Sequence, residues 1–365
     1  MHLSTLAQLA VTGLLVASLP LAMVWMSSDA NKYRKLTWTI AFLTFDLIVF
    51  GAFTRLTDSG LGCPDWPGCY GAGNPFLAHA QITAAEALLP SGPVTVVKAW
   101  IEMIHRYLAM GIGVLITALM LKAWIEWRKA RNQAFNPTIP TALFFFVCVQ
   151  GAFGAWTVTL KLQPAIVTIH LLLGMGLLSM IVWLGMKATD GTPVADGVNA
   201  LRLPALACAL VLALQIALGG WVSTNYATMA CTDFPLCGGK LVPEMDFQHG
   251  FTLWRELGKT AAGHYLPFSA LTAIHWVHRN FAFVVVAVLG LTAWRASMQP
   301  ALRKLARTIG AVLALQAASG IATVYLDFPL AIAVLHNAGA ALLVLLVTML
   351  NYQTKYRFSA PAQAR

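Results

Sequence analysis

Long apolar runs dominate the chain, separated by short polar stretches. Nine of them reach or approach the roughly 20 residues that a helix needs to cross a bilayer. They lie at about 3–26, 37–56, 99–121, 140–160, 165–187, 203–224, 271–293, 308–326 and 330–350. None alternates polar with apolar residues over the ten or so positions of a barrel strand. The pattern predicts an all-α integral membrane protein with about nine transmembrane helices. Only His2 precedes the first run, so it lacks the basic n-region of a signal peptide, and no clear A-x-A site follows it. It is read as a retained helix.

Composition sharpens this picture. Of 365 residues, 10% are charged and 58% hydrophobic, whereas a soluble domain carries about 25% charge. That excludes a disordered chain and argues against a soluble enzyme. The net charge of +10 would suit a nucleic-acid binder, but no basic stripe with interleaved aromatics occurs. The basic residues report orientation instead. Sixteen of them, from Lys32 through Arg131 to Arg357 and Arg365, fall on one set of loops. Six (Arg55, Lys98, Lys161, Lys240, Arg255 and Lys259) fall on the other, and Arg106 and Arg279 lie inside predicted helices. The C-terminus is therefore expected in the cytoplasm and, with nine spans, the N-terminus outside. The long loops 57–98 and 225–270 then face outward, and no nucleic-acid partner is expected.

The chain also repeats itself. Cys63-Pro-Asp65-Trp66-Pro67-Gly-Cys69 returns 168 residues later as Cys231-Thr-Asp233-Phe234-Pro235-Leu-Cys237, and Gly51 matches Gly219 at the same offset. Gln150-x-x-x-Gly154-x-x-Thr157-Val158 returns 166 residues later as Gln316-x-x-x-Gly320-x-x-Thr323-Val324. Apolar helices resemble one another by chance, but polar, position-specific loops do so less readily. Spans two to five and six to nine thus form two parallel, pseudo-symmetric four-helix bundles about an axis along the membrane normal. The expected divisions are 1–30 (an extra N-terminal helix), 31–190 and 191–365.

Five of the nine histidines lie in predicted helices. His105 pairs with His278 across the repeat, and His170 with His336, each of the latter twenty residues after Gln150 or Gln316. The others, His2, His79, His249 and His264, read as solvated surface. A lone intramembrane histidine can be a packing residue, but four at equivalent positions suggest function. Two histidines on facing helices of a bundle can ligate one haem iron axially, so each half offers a haem site. Glu102 lies three residues before His105 and shares its helix face, whereas His275 takes that place before His278. The first half therefore looks catalytic and the second like a cofactor or electron-transfer site. Glu102 could instead serve as a structural partner for Arg106.

Arg106 and Arg279 follow the histidines and suit bidentate pairing with propionates, or face a neighbouring helix. Arg55 is a third propionate candidate, with Ser223 as its counterpart. Asp46, with counterpart Leu214, reads as a buried hydrogen-bonded group. Cys148 and Cys208 read as packing residues. Cys63/Cys69 and Cys231/Cys237 are compatible with local bridges, with cross-links between the loops, or with a redox role. Neither pair is C-x-x-C-H, so covalent haem attachment of the c type is not indicated.

The string Gly51-Ala-Phe-Thr-Arg55-Leu-Thr-Asp-Ser-Gly60-Leu-Gly-Cys63-Pro-Asp-Trp-Pro-Gly-Cys69-Tyr-Gly resembles the first outer loop of the haem A synthases. Glu102-x-x-His105-Arg106 resembles that family's acid–His–Arg motif, and the contexts of His170, His278 and His336 also match. The resemblance covers about residues 37–350; the first span departs from the usual eight-helix pattern. It implies an oxidoreductase of the bacterial cytoplasmic membrane that takes the C8 methyl of haem O to a formyl by successive hydroxylations, for cytochrome oxidase biogenesis. It implies that His105 and His170 bind the substrate haem O, that His278 and His336 ligate a haem b cofactor, that Glu102 acts near the methyl, and that Cys63 and Cys69 form the family's loop pair. Its partners would be the haem O-supplying synthase, an unidentified electron acceptor, the lipid bilayer and further copies of itself. The alternatives are a di-haem cytochrome b that only passes electrons, against which the unpaired Glu102 argues, and a haem transporter, against which the unbroken spans argue.

Overall fold

In the computed structural model, which describes residues 4–130, 136–189 and 198–355, every regular element is helical. His2, Arg131, Arg357 and Arg365, and the expected division at 190/191, lie outside the described residues. Nine described helices are long and apolar enough to cross a membrane: α1 (Thr5–Met26), α2 (Lys32–Leu56), α4 (Val96–Ala130), α5 (Thr138–Thr159), α6 (Pro164–Lys187), α7 (Arg202–Thr224), α9 (Phe268–Ser297), α10 (Arg303–Tyr325) and α11 (Leu330–Lys355). Two short helices in the long loops, α3 (His79–Leu88) and α8 (Phe247–Gly250), are too short to stand out in a pattern of membrane-length runs.

Proline marks where these helices start, as its fixed φ and missing N–H allow. Pro137, Pro164, Pro267 and Pro329 stand at the first positions of, or just before, α5, α6, α9 and α11. The Asn31 side chain caps α2 by accepting from the Arg34 N–H at 2.9 Å. That cap starts α2 five residues before the apolar run. At its far end α4 outlasts its apolar run, through residues of good helix propensity that include the i,i+4 pair Lys122–Glu126, 3.4 Å apart.

The chain forms two compact units, Met1–Ala188 and Thr189–Arg365. In the first, α2, α4, α5 and α6 make a four-helix ring in that order, with α4 and α6 on one diagonal. In the second, α7, α9, α10 and α11 make a ring with α9 and α11 on the corresponding diagonal. Local backbone geometry repeats as well. Asp58 and Tyr226 both take positive φ after the first helix of each ring. The tight turns before α6 and α11 each use two left-handed residues, Lys161–Leu162 and Asp327–Phe328.

Helix α1 lies outside the first ring and packs on α4 and α2. Its buried residues, Leu9, Gly13, Ala17 and Val24, form one seam. Small residues let the backbones approach there: a Cβ on Gly111 would come within 2.6 Å of Val16 Cγ1, and one on Gly13 within 3.1 Å of Met110 Cβ. Gly113, by contrast, has nothing within 4 Å of where its Cβ would lie. Gly111→Val is therefore expected to remove ~1–3 kcal/mol of stability by overpacking and to lower the thermal midpoint in detergent. Gly113→Ala should match or exceed the native midpoint. Equal midpoints for all three proteins would show that the seam carries no weight.

Candidate functional site

Two histidines stand on the diagonal helices of each ring, and each ring edge rests against a glycine on a neighbouring helix. On α4, His105 lies against Gly51 of α2: a Cβ there would be 3.0 Å from Nε2. On α6, His170 lies against Gly154 of α5, with 3.2 Å to Cε1. The second unit repeats this. A Cβ on Gly219 of α7 would be 2.9 Å from His278 Cε1, and one on Gly320 of α10 would be 3.0 Å from His336 Cε1. All four rings are half-buried. His105 and His170 lie close enough to interact electrostatically, as do His278 and His336.

Glutamines orient this frame. Gln150 Nε2 donates to the His170 carbonyl at 3.1 Å, and Gln215 Nε2 donates to that of His278 at 3.2 Å. Gln215 Nε2 is also 3.2 Å from His278 Nδ1. Gln316 Nε2 is 3.3 Å from His336 Nε2, and Ser319 Oγ is 2.9 Å from His336 Nδ1. Neither Gln215 nor Ser319 stood out in the sequence. Gln215 has Leu47 at its repeat position, so the repeat did not flag it. Two nitrogen donors across a bundle, each with a backbone notch behind it, suit the axial ligation of a planar macrocycle's iron.

Beside each pair sits a disulfide loop. Cys63 bonds Cys69 and Cys231 bonds Cys237, so the bridges are local and do not join the two loops. Both loops are built alike, each with a cis X–Pro bond at Trp66–Pro67 or Phe234–Pro235. Asp65 accepts from the Tyr70 and Gly71 N–H groups at 2.6 and 2.7 Å. Asp233 accepts from those of Gly238 and Gly239 at 2.7 and 2.9 Å. The Gly239 N–H, with that of Gly238, holds the exposed Asp233 carboxyl below the usual carboxylate range.

The arginines expected to meet propionates hold these loops. Arg106 Nη1 donates to the carbonyls of Asp65, Pro67 and Gly68 at 3.0, 3.2 and 2.6 Å. Arg279 Nη2 donates to those of Asp233 and Leu236 at 2.7 and 3.1 Å, and its guanidinium lies 5.2 Å from the Phe234 ring centre. Arg279 Nη1 is buried with no partner among the described residues. Arg55 lies 3.8 Å from Asp58, which also meets Lys98 at 3.6 Å.

Glu102 is buried between helix and loop. Oε1 pairs with Arg106, and Oε2 accepts the Cys63 N–H at 2.8 Å. His275, at the equivalent place, is buried, and its Nδ1 has no partner among the described residues. The two units thus share a frame and differ in the acid. Helix α1 adds a contact that the second unit has no counterpart for: Gln8 Oε1 accepts from the Gly73 N–H at 2.9 Å, and Thr5 bonds the Gly71 carbonyl. Asp46 is exposed on the outer face of α2, not buried as expected, because it lies opposite the buried stripe of Ile40 and Thr44. Of the free cysteines, Cys208 is buried and Cys148 exposed.

Residues 34–348 match the family model COX15-CtaA, described as cytochrome oxidase assembly protein. The heme A synthase of Shewanella oneidensis is 36% identical over 334 residues, covering 90% of this chain and 99% of that protein. The heme A synthase of Caulobacter sp. strain K31 is 30% identical over 352 residues, covering 91% and 98%.

The arginine–loop contacts make a prediction with an internal control. The loop cysteines are buried, so a reductant reaches them only when a loop opens, and hydrogen bonds to a charged donor contribute ~1.5–3 kcal/mol each. Arg279→Ala should speed reduction of Cys231–Cys237 by a water-soluble phosphine at least about tenfold, leaving Cys63–Cys69 unchanged. Unaltered kinetics, followed by alkylation and mass spectrometry, would refute the anchoring role.

Proposed function

This chain belongs to the haem A synthase family of cytochrome oxidase assembly proteins, a family of integral-membrane oxidoreductases that convert haem O to haem A; on that premise we propose how its residues divide the work. His105 and His170, in the N-terminal repeat 31–190, hold the substrate haem O. His278 and His336, in the C-terminal repeat 191–365, hold a resident haem b. The glycine notch behind each ring and the two-nitrogen donor sets support this reading. When bound, haem b supplies a one-electron relay between the oxidised methyl and an acceptor.

The observation that carries the assignment is an acid beside the first histidine pair that the second pair lacks. Glu102 stands one helical turn from His105, and His275 takes its place beside His278. A buried carboxylate there can accept a proton or stabilise positive charge developing at the C8 carbon; an imidazole supplies no such anion. Arg106 and the Cys63 N–H fix the carboxylate. Arg279 Nη1, buried without a partner, is the donor left for a propionate. Arg106 serves the loop and Glu102 instead, and Arg55 stays a propionate candidate at its rim. The disulfides close the loops that carry these anchors. The excess of loop Lys and Arg between spans orients the chain with its C-terminus in the cytoplasm and the disulfide loops outside.

Glu102→Ala should abolish haem A formation while haem b stays bound. Glu102→Gln, which keeps a side chain able to bond the Cys63 N–H, should be nearly as inactive. An active Glu102→Gln protein would reduce the residue to a structural tie. His278→Ala or His336→Ala should strip the haem b spectrum from purified protein, and a surviving spectrum would move the cofactor to the other half. Gly219→Ala should mimic the histidine losses in part, since its methyl would press on His278 Cε1. Pigment extraction from cells that also make haem O tests the whole reading: a formyl haem supports it, and haem b alone would indicate an electron-transfer cytochrome.

A further inference from the structure

The two units also differ on the helix preceding the second histidine of each. Ser319 immediately precedes Gly320, and Phe153 immediately precedes the equivalent Gly154. Ser319 Oγ donates to the Gln316 carbonyl at 3.0 Å and lies 2.9 Å from His336 Nδ1. A hydroxyl has one hydrogen. Gln316 Nε2 lies 3.3 Å from His336 Nε2. Were Nε2 to hold iron, the neutral ring would carry its proton on Nδ1, and the Ser319 oxygen, with its own hydrogen on the Gln316 carbonyl, could accept it.

The N-terminal unit has no such arrangement. Phe153 offers no acceptor; its ring packs edge-on against Trp156, 5.0 Å between centres. His170 Nδ1 is buried with no hydrogen-bond partner among the described residues. Gln150 bonds the His170 backbone and not its ring.

We propose that Ser319 is a positioning residue that presents His336 Nε2 to a haem iron and holds it there, and that Phe153 withholds this support from His170. A ligand histidine whose second nitrogen donates to an oxygen is fixed in orientation and made more basic. One whose second nitrogen is orphaned is neither. The C-terminal site thereby keeps its haem, and the N-terminal site lets haem come and go. This inference rests on the assignment of haem b to the C-terminal unit and gives that assignment a physical cause: a cofactor must stay, while a substrate must be exchanged after oxidation.

The test follows haem b loss from purified full-length protein to excess apomyoglobin. Ser319→Ala should release haem b about 10–100-fold faster, the usual cost of losing a partner of a metal-bound histidine. Ser319→Thr, which keeps the hydroxyl, should stay near the native rate. Reduced Ser319→Ala protein should also bind carbon monoxide, as a histidine that detaches exposes the iron; a merely structural role would leave both ligand exchange and its rescue by threonine unmoved. A native release rate in Ser319→Ala overturns the proposal. His336→Ala separates the two levels. Retained haem b there means that the assignment of the cofactor to this unit has failed; lost haem b with an unaffected Ser319→Ala means that only the role of Ser319 has. Should Ser319→Ala not accumulate, Phe153→Ser carries the test in the other unit. It should slow haem release from the His105–His170 site, and an unchanged rate overturns the proposal.

Discussion

An imidazole inside an apolar bundle needs a backbone that recedes behind it, and this requirement organises both units. Each ring of four helices assigns two diagonal members to carry histidine and two to carry the glycine behind it. Any side chain at Gly51, Gly154, Gly219 or Gly320 would push a ring toward the bundle axis, where its partner stands. The four-helix ring gives each histidine a glycine on a neighbouring helix behind it. The packing of the remaining apolar residues is comparatively permissive, because lipid exerts no hydrophobic pressure that would specify it.

On this common frame the units diverge at a handful of polar positions. The loops are copies down to the aspartate that accepts two consecutive N–H groups and the arginine that gathers loop carbonyls. Glu102 against His275, Phe153 against Ser319 and Leu47 against Gln215 are the exchanges that touch the histidines or their surroundings. The disulfide loop is not a lid added to each bundle, since its backbone N–H at Cys63 is one of the groups that fix Glu102. In the first unit α1 braces the same loop from outside.

Much of this was legible in the sequence, and the reasons for the rest are specific. Helices crossing a bilayer announce themselves by length and apolarity, so all nine runs mark helices, although α4 extends beyond its run at both ends. The histidines could be found because the repeat places them at matched positions. The contacts of Arg106 and Arg279 could not, since they join residues some forty positions apart through backbone carbonyls that carry no side-chain signature. Glu102 was conspicuous as an acid in an apolar stretch, but its tie to the Cys63 N–H was equally invisible. Asp46 misled because an acid in mid-span suggests burial, and only the packed helix shows which face it occupies. Ser319 lay in view beside a repeated glycine, and its meaning emerged only once His336 stood next to it.

The placement of the glycines also sets an order of events during synthesis. His105 on α4 backs onto α2, which the ribosome has already delivered, but it faces its partner only when α6 arrives; His170 in turn backs onto α5. No histidine pair exists until the last helix of its unit is in the membrane. The first pair is therefore complete when about half the chain has been made, and the second waits for α11, the final helix described. A nascent chain passes through an interval in which one unit has its histidine pair and the other does not, and the unit that finishes first is the one that carries the acid.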